Sequence, residues 1–219
     1  MNKKDYMIVL GTAHLESTSG KRSPDGRLRE AVYSREIVED VEAMLTGYGY
    51  NVAVDYRNMR EDESMRAMSK TMNQTNRELM YRVKQVNAIC EKFPDRTLYV
   101  SIHVDAIGAD GKWHDANGWS VRVSPKASNN SKVLANLLYD AAGKHGLNVR
   151  KPSNTQKYWV QNLYVLNKTS CPAVLTENLF QDNRKDVDFL LSDMGRHHIA
   201  RLHVEGIISY LENLETHID

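Results

Sequence analysis

Hydrophobic and polar positions come in alternating blocks along this chain. The apolar run MIVL at 7–10 is followed, after a polar stretch, by Ile37, Val38, Val41, Met44 and Leu45, spaced three and four apart. The first pattern predicts a buried strand over Met7 to Thr12, and the second an amphipathic helix over Ser34 to Tyr48 that stops near Gly47 and Gly49. Strand character resumes at Asn51 to Val54, a helix is expected over Arg77 to Lys92, and Pro94-Asp95 punctuates before a strand over Thr97 to Ile102. Later come an expected strand at Trp119 to Val123, a helix at Ser131 to His145 stopped by Gly146, short strands at Tyr164 to Leu166 and Ala173 to Thr176, and a closing helix over Met194 to Leu211. This order, with no internal repeat or low-complexity linker, predicts one α/β domain over 1–219. Its expected core is a mostly parallel or mixed twisted sheet of about six strands flanked by helices on both faces.

Two stretches carry no such period. The polar segment RNMREDESMRAMSKTMNQTN (57–76) reads as a mobile loop or a short surface helix, acting as a solvated connection or as a lid or regulatory insertion that meets a partner. The glycine-bearing segment at 107–117 reads as a loop at the sheet edge where the strand before it ends.

Composition narrows the class of function. With 219 residues, 41% of them hydrophobic, the chain can bury one sizeable core. Its 29 basic and 28 acidic side chains nearly cancel, so no global field favours nucleic acid or an anionic surface, and function must come from a local site. Cys90 and Cys171 are too few for a disulfide framework and form no C-x-x-C pair, so two reduced, largely buried thiols are expected. No apolar run approaches the ~20 residues that span a bilayer. The apolar stretch at the start is interrupted by Gly11 and Thr12, which reads as a first strand and not as a signal peptide.

The candidate chemistry sits at strand ends. His14 closes MIVLGTAH and His103 lies near the end of LYVSIHVDA, and the carboxyl ends of strands in an α/β sheet are where ligands and metals bind. A catalytic zinc typically takes three protein ligands and leaves a fourth position open. Glu30, just before the first predicted helix, can supply the third, although each residue alone is more often a hydrogen-bonded His or a first-turn carboxylate. Glu177, at the end of CPAVLTENLF, is placed either to move a proton or to make a strand-end ion pair.

Taken together, GTAH (11–14), RE (29–30), SIHVDA (101–106) and AVLTENLFQDN (173–183) resemble the zinc-dependent N-acetylmuramoyl-L-alanine amidases of type 3, which cleave peptidoglycan. Arg82 with Asn87, and VAVDYR (52–57), match weaker elements of the same family, so the resemblance runs from about Met7 to Tyr210. It implies one zinc per chain held by His14, Glu30 and His103, with Glu177 as general base and then general acid, and peptidoglycan as the partner. The setting is either a phage lysis enzyme made in the host cytoplasm or a mature secreted wall enzyme whose leader is absent. The chain departs from the family in lacking the glycines that usually follow the first His, and in having a longer connection between Arg57 and Arg82. Among the remaining residues, His114 and Arg150 are candidate substrate contacts, Arg150 with Lys151 reading equally as a solvated basic pair. His197, His198 and His203 read as a surface cluster, and His145 as a partner for its helix C-terminus.

Overall fold

Alternating apolar runs become a single sheet because the central strands are buried on both faces. The computed structural model describes residues 2–108 and 110–216. Its strands are β1 (Met7–Thr12), β2 (Asn51–Val54), β3 (Thr97–Asp105), β4 (Ser120–Val123), β5 (Trp159–Val160) and β6 (Ala173–Phe180), in the order β2-β1-β3-β6-β4-β5. Neighbours run parallel except β4 against β6, so the sheet is mixed, as expected.

The helices are α1 (Glu30–Gly47), α2 (Glu63–Ala67), α3 (Gln74–Lys92), α4 (Asn129–Lys144), α5 (Tyr164–Lys168), α6 (Arg184–Leu190) and α7 (Asp193–Thr216). Side chains on a strand alternate between faces, and β3 shows the result. Leu98, Val100, Ile102 and Val104 pack with α1, α4 and α7 in one core, whereas Tyr99 packs with Val83, Val86, Val165 and Leu166 of α3 and α5 in the other. Ser101 and His103 follow Tyr99 by two and four residues, so the backbone sends His103 to the α3/α5 face at the carboxyl end of its strand.

Several expectations need correction. Tyr164–Leu166 is not a strand but the first turn of α5, closed by hydrogen bonds from the Leu166 and Asn167 N–H groups to the Leu163 carbonyl. An apolar run of this length carries no period by which to tell helix from strand. Helix α6 was not expected, although Asn183 is a legible N-cap whose side chain accepts from the N–H groups of Lys185 and Asp186. Strand β5 is too short to leave a pattern. The 57–76 segment contains a short helix, α2, started by Asp62, whose side chain accepts from the Met65 N–H.

His203 is not a surface residue. It is fully buried, its ring between the Thr176 hydroxyl at 2.8 Å and the Ile199 carbonyl at 2.7 Å, because it lies on the same inward stripe of α7 as Ile199. His145 caps α4 through its backbone N–H, but its ring crosses to α7, where it meets His198 at 3.2 Å and Glu205 at 3.0 Å. Cys90 and Cys171 are free and half-buried.

Candidate metal centre and active site

The first histidine is held by a strained turn. After β1 the chain passes through His14 at φ 43°, the left-handed region, which costs a residue with a Cβ on the order of 1–3 kcal/mol unless its surroundings hold it. Two guanidiniums supply the hold. Arg35 donates to the carbonyls of Ala13 and His14 at 3.0 and 3.1 Å and also to those of Arg57 and Asn58. Buried Arg82 donates to the His14 carbonyl at 3.4 Å while paired with Asp55 and Glu78. The Ser34 hydroxyl accepts from the Ala13 N–H and donates to the Ile102 carbonyl, tying this turn to β3.

Gly11 serves the same arrangement, because a Cβ there would lie 2.3 Å from the Tyr99 hydroxyl, which itself bonds Asp55. Leu15 is fully buried with Tyr56 and with Met65 of α2, so the 57–76 segment packs against the loop after His14, and the Glu16 N–H donates to the Met59 carbonyl.

Glu30 opens α1 and reaches the same point from the other side. One carboxylate oxygen, Oε1, lies 3.7 Å from His14 Nε2 and 3.1 Å from His103 Nδ1. Among the described residues, ligand atoms of His14, Glu30 and His103 all lie within 4.8 Å of one another. Tetrahedral donors about 2.0–2.1 Å from a zinc ion stand roughly 3.3 Å apart, so these spacings bracket the value such an ion requires. The second Glu30 oxygen is buried with no hydrogen-bond partner, the nearest cation being Lys21 at 3.7 Å. A buried carboxylate oxygen left open this way is what a metal ligand looks like without its ion.

The charges suit that role. Burial pushes the His14 imidazole down to about 3, so it is neutral at pH 7 with a free lone pair. Burial opposes ionisation of Glu30, but the hydrogen bond from His103 and the neighbouring imidazoles outweigh it and bring the carboxyl to about 2. Metals take neutral imidazole and ionised carboxylate.

Glu177 stands next to this group. On β6 it is the direct register partner of His103 on β3, and one of its oxygens is buried without a partner. Burial foremost, with Asp105 and Glu30 nearby, pushes its carboxyl well above the usual carboxylate range, against the pull of Arg122. Arg122 lies 3.4 Å from Glu177 and 2.7 Å from Asp105. Arg150 joins Asp105 at 3.5 Å and lies over the Phe180 ring at 4.7 Å, which places it one ion pair away from this group. His114 pairs with Asp110 at 3.0 Å, and its backbone binds Asp182 and Asn183.

The sequence reading missed Arg35, Asp105 and Arg122. Arg35 was discoverable, since it lies between Ala31 and Val38 on the apolar stripe of α1, where a charge must be paired. Arg122, in the alternating strand SVRV, carries no comparable signal.

A family model described as N-acetylmuramoyl-L-alanine amidase matches residues 8–209. The chain is 31% identical over 134 residues to the endolysin of Bacillus phage SPP1, covering 61% of this chain and 45% of that one. It is 27% identical over 212 residues to a probable cell wall amidase, LytH, of Staphylococcus saprophyticus, covering 94% and 59%. It therefore spans about half the length of the curated relatives it matches. Among solved structures, an N-acetylmuramoyl-L-alanine amidase from Clostridium difficile 630 superposes with a TM-score of 0.75 at 20% identity, covering 94% of this chain and 97% of that one. The CwlD amidase of Clostridioides difficile, solved in complex with the GerS lipoprotein, gives 0.73 at 20%, covering 95% and 99%. At such identity these two speak for the shared α/β fold, and the family model extends over nearly the whole chain. This protein belongs to the N-acetylmuramoyl-L-alanine amidase family.

Proposed function

We propose that this chain is a catalytic domain that hydrolyses the amide bond between N-acetylmuramic acid and the L-alanine of the peptidoglycan stem, with one zinc ion held by His14, Glu30 and His103. The observation that carries this reading is the convergence of those three side chains on one point, with Glu177 in register beside His103. Bound there, zinc supplies a water of lowered pKa and a Lewis acid for the amide carbonyl.

The chain's own residues do the rest. Glu177, its carboxyl raised by burial and by neighbouring acids, accepts a proton from the attacking water at its open oxygen and then delivers it to the departing L-alanine nitrogen. Arg122 holds the other Glu177 oxygen and so keeps the open one turned to the site. Asp105 orients Arg122 through its shorter contact. The side chains of His14 and His103 are 19% and 14% exposed, which leaves substrate a way in from solvent.

Zinc content measured on the purified protein tests the ligand set. The native chain is expected to hold close to one zinc per molecule and His103→Ala far less. Unchanged zinc in His103→Ala contradicts the assignment.

A further inference from the structure

Next to the metal centre, the loop at 19–24, residues Ala106, Gly108, Gly111 and Lys112, and the turn after β6 line a cavity of about 270 Å³. Both walls are tied to the centre: the Glu30 N–H donates to the Lys21 carbonyl at 3.0 Å, and the Gln181 N–H donates to the Asp105 carbonyl at 2.9 Å. Two side chains that line the cavity are almost fully buried, Gln181 at 1% and Asp182 at 5% exposed, and each has one oxygen without a partner, Gln181 Oε1 and Asp182 Oδ1.

Their orientation is settled by their other atoms. Gln181 Nε2 donates to the Gly20 carbonyl at 3.1 Å, so the amide cannot be flipped and its oxygen is the open end. Asp182 Oδ2 accepts from the N–H groups of Ile107 and Gly108 at 2.8 and 3.4 Å, leaving Oδ1 free. The fold thus holds two unpartnered acceptors, one of them a carboxylate, in the wall of one small cavity, and buried acceptors left open call for a donor.

The occupant follows from the chemistry. Two acceptors require a donor, and a carboxylate prefers a charged one. Among the described residues, no aromatic side chain lines the cavity to take the flat face of a sugar, and its volume falls below the ~300–1,000 Å³ of pockets that hold whole small ligands. Exposed Arg22 and Lys112 also line it and complement the carboxylates of a peptide. We infer that this cavity is a subsite for the amine-bearing side chain of the stem peptide, held by Asp182 and Gln181; the inference rests on the amidase reading.

The test compares two muropeptides with a lysine at the third stem position, one with its ε-amine free and one with it acetylated. The native protein is expected to favour the free amine by roughly tenfold or more in kcat/KM, the range of a charge-assisted hydrogen bond. Asp182→Asn keeps the shape and must turn its amide nitrogen into the cavity, since its oxygen is needed by the loop N–H groups. The preference is then expected to fall toward one. Gln181→Met, which removes the other acceptor, is expected to lower the ratio by itself, so the test survives if Asp182→Asn does not fold. Equal hydrolysis of the two substrates by the native protein, or a preference that both variants retain, overturns the subsite while leaving the amidase reading standing. Hydrolysis of neither overturns the amidase reading and the subsite with it.

Discussion

At the scale of the residue, the proposed reaction turns on one carboxylate whose surroundings favour the protonated form. Glu177 is buried beside Asp105 and Glu30, and Arg122 foremost, with Lys21, opposes the rise in its pKa. The raised pKa makes the protonated carboxyl easier to form than at an ordinary surface carboxylate, which suits the proton-donating half of the proposed role. Glu177→Gln keeps the size and removes the exchange. It is expected to lower hydrolysis roughly 100- to 10,000-fold with zinc content retained, read by parallel activity and metal assays, and full activity in that variant contradicts the role. His14, Glu30, His103 and Glu177 were legible as candidates because they fall near the ends of apolar runs or just before a helix, and as a set only through their resemblance, with the segments around them, to one family. Arg122 and Asp105 were not legible, because their role depends on β4 lying antiparallel beside β6, a pairing between distant segments that neither strand's own pattern encodes.

At the scale of the element, α2 and the loop after His14 form one unit. Met65 is fully buried against Leu15 and Tyr56, and Leu15 directly follows the strained His14. Met65→Ala is expected to cost about 2–5 kcal/mol of stability and to weaken zinc binding, because the turn that aims His14 loses its backing. Calorimetry with and without added zinc checks both parts, and a variant that loses stability while binding zinc as tightly as the native chain contradicts the coupling. Strands β1, β2 and β4 appear within a residue of expectation, whereas β3 and β6 run on to Asp105 and Phe180, past their expected ends at Ile102 and Thr176. The parts that were not readable are short. Helix α5 and strand β5 lack the length to show a period, and α1 starts at Glu30, before the expected Ser34, through a first turn of Glu30, Ala31, Val32 and Tyr33.

At the scale of the whole molecule, stability is tied to pH through buried His203. Burial holds its imidazole down to about 4, against 6.5 for the free side chain. Below 6.5 the unfolded chain takes up a proton that the folded one refuses, so this residue's contribution is full above 6.5 and is lost as pH falls toward 4. The loss amounts to about 3 kcal/mol. Urea unfolding between pH 7 and pH 4 is expected to show a shallower decline for His203→Gln than for the native chain, and equal slopes contradict this account. The near balance of charge leaves no long-range field to gather substrate, so recognition falls to the groups around the centre at the carboxyl ends of β1, β3 and β6. The central claim is that this centre cuts one particular amide with a metal's help, and mass analysis of the products from a defined muropeptide tests it most directly. The zinc-loaded protein is expected to release an intact stem peptide beginning with L-alanine together with free N-acetylmuramic acid, and chelation is expected to stop the release. Cleavage at any other bond, or the same products after the metal has been stripped, contradicts it.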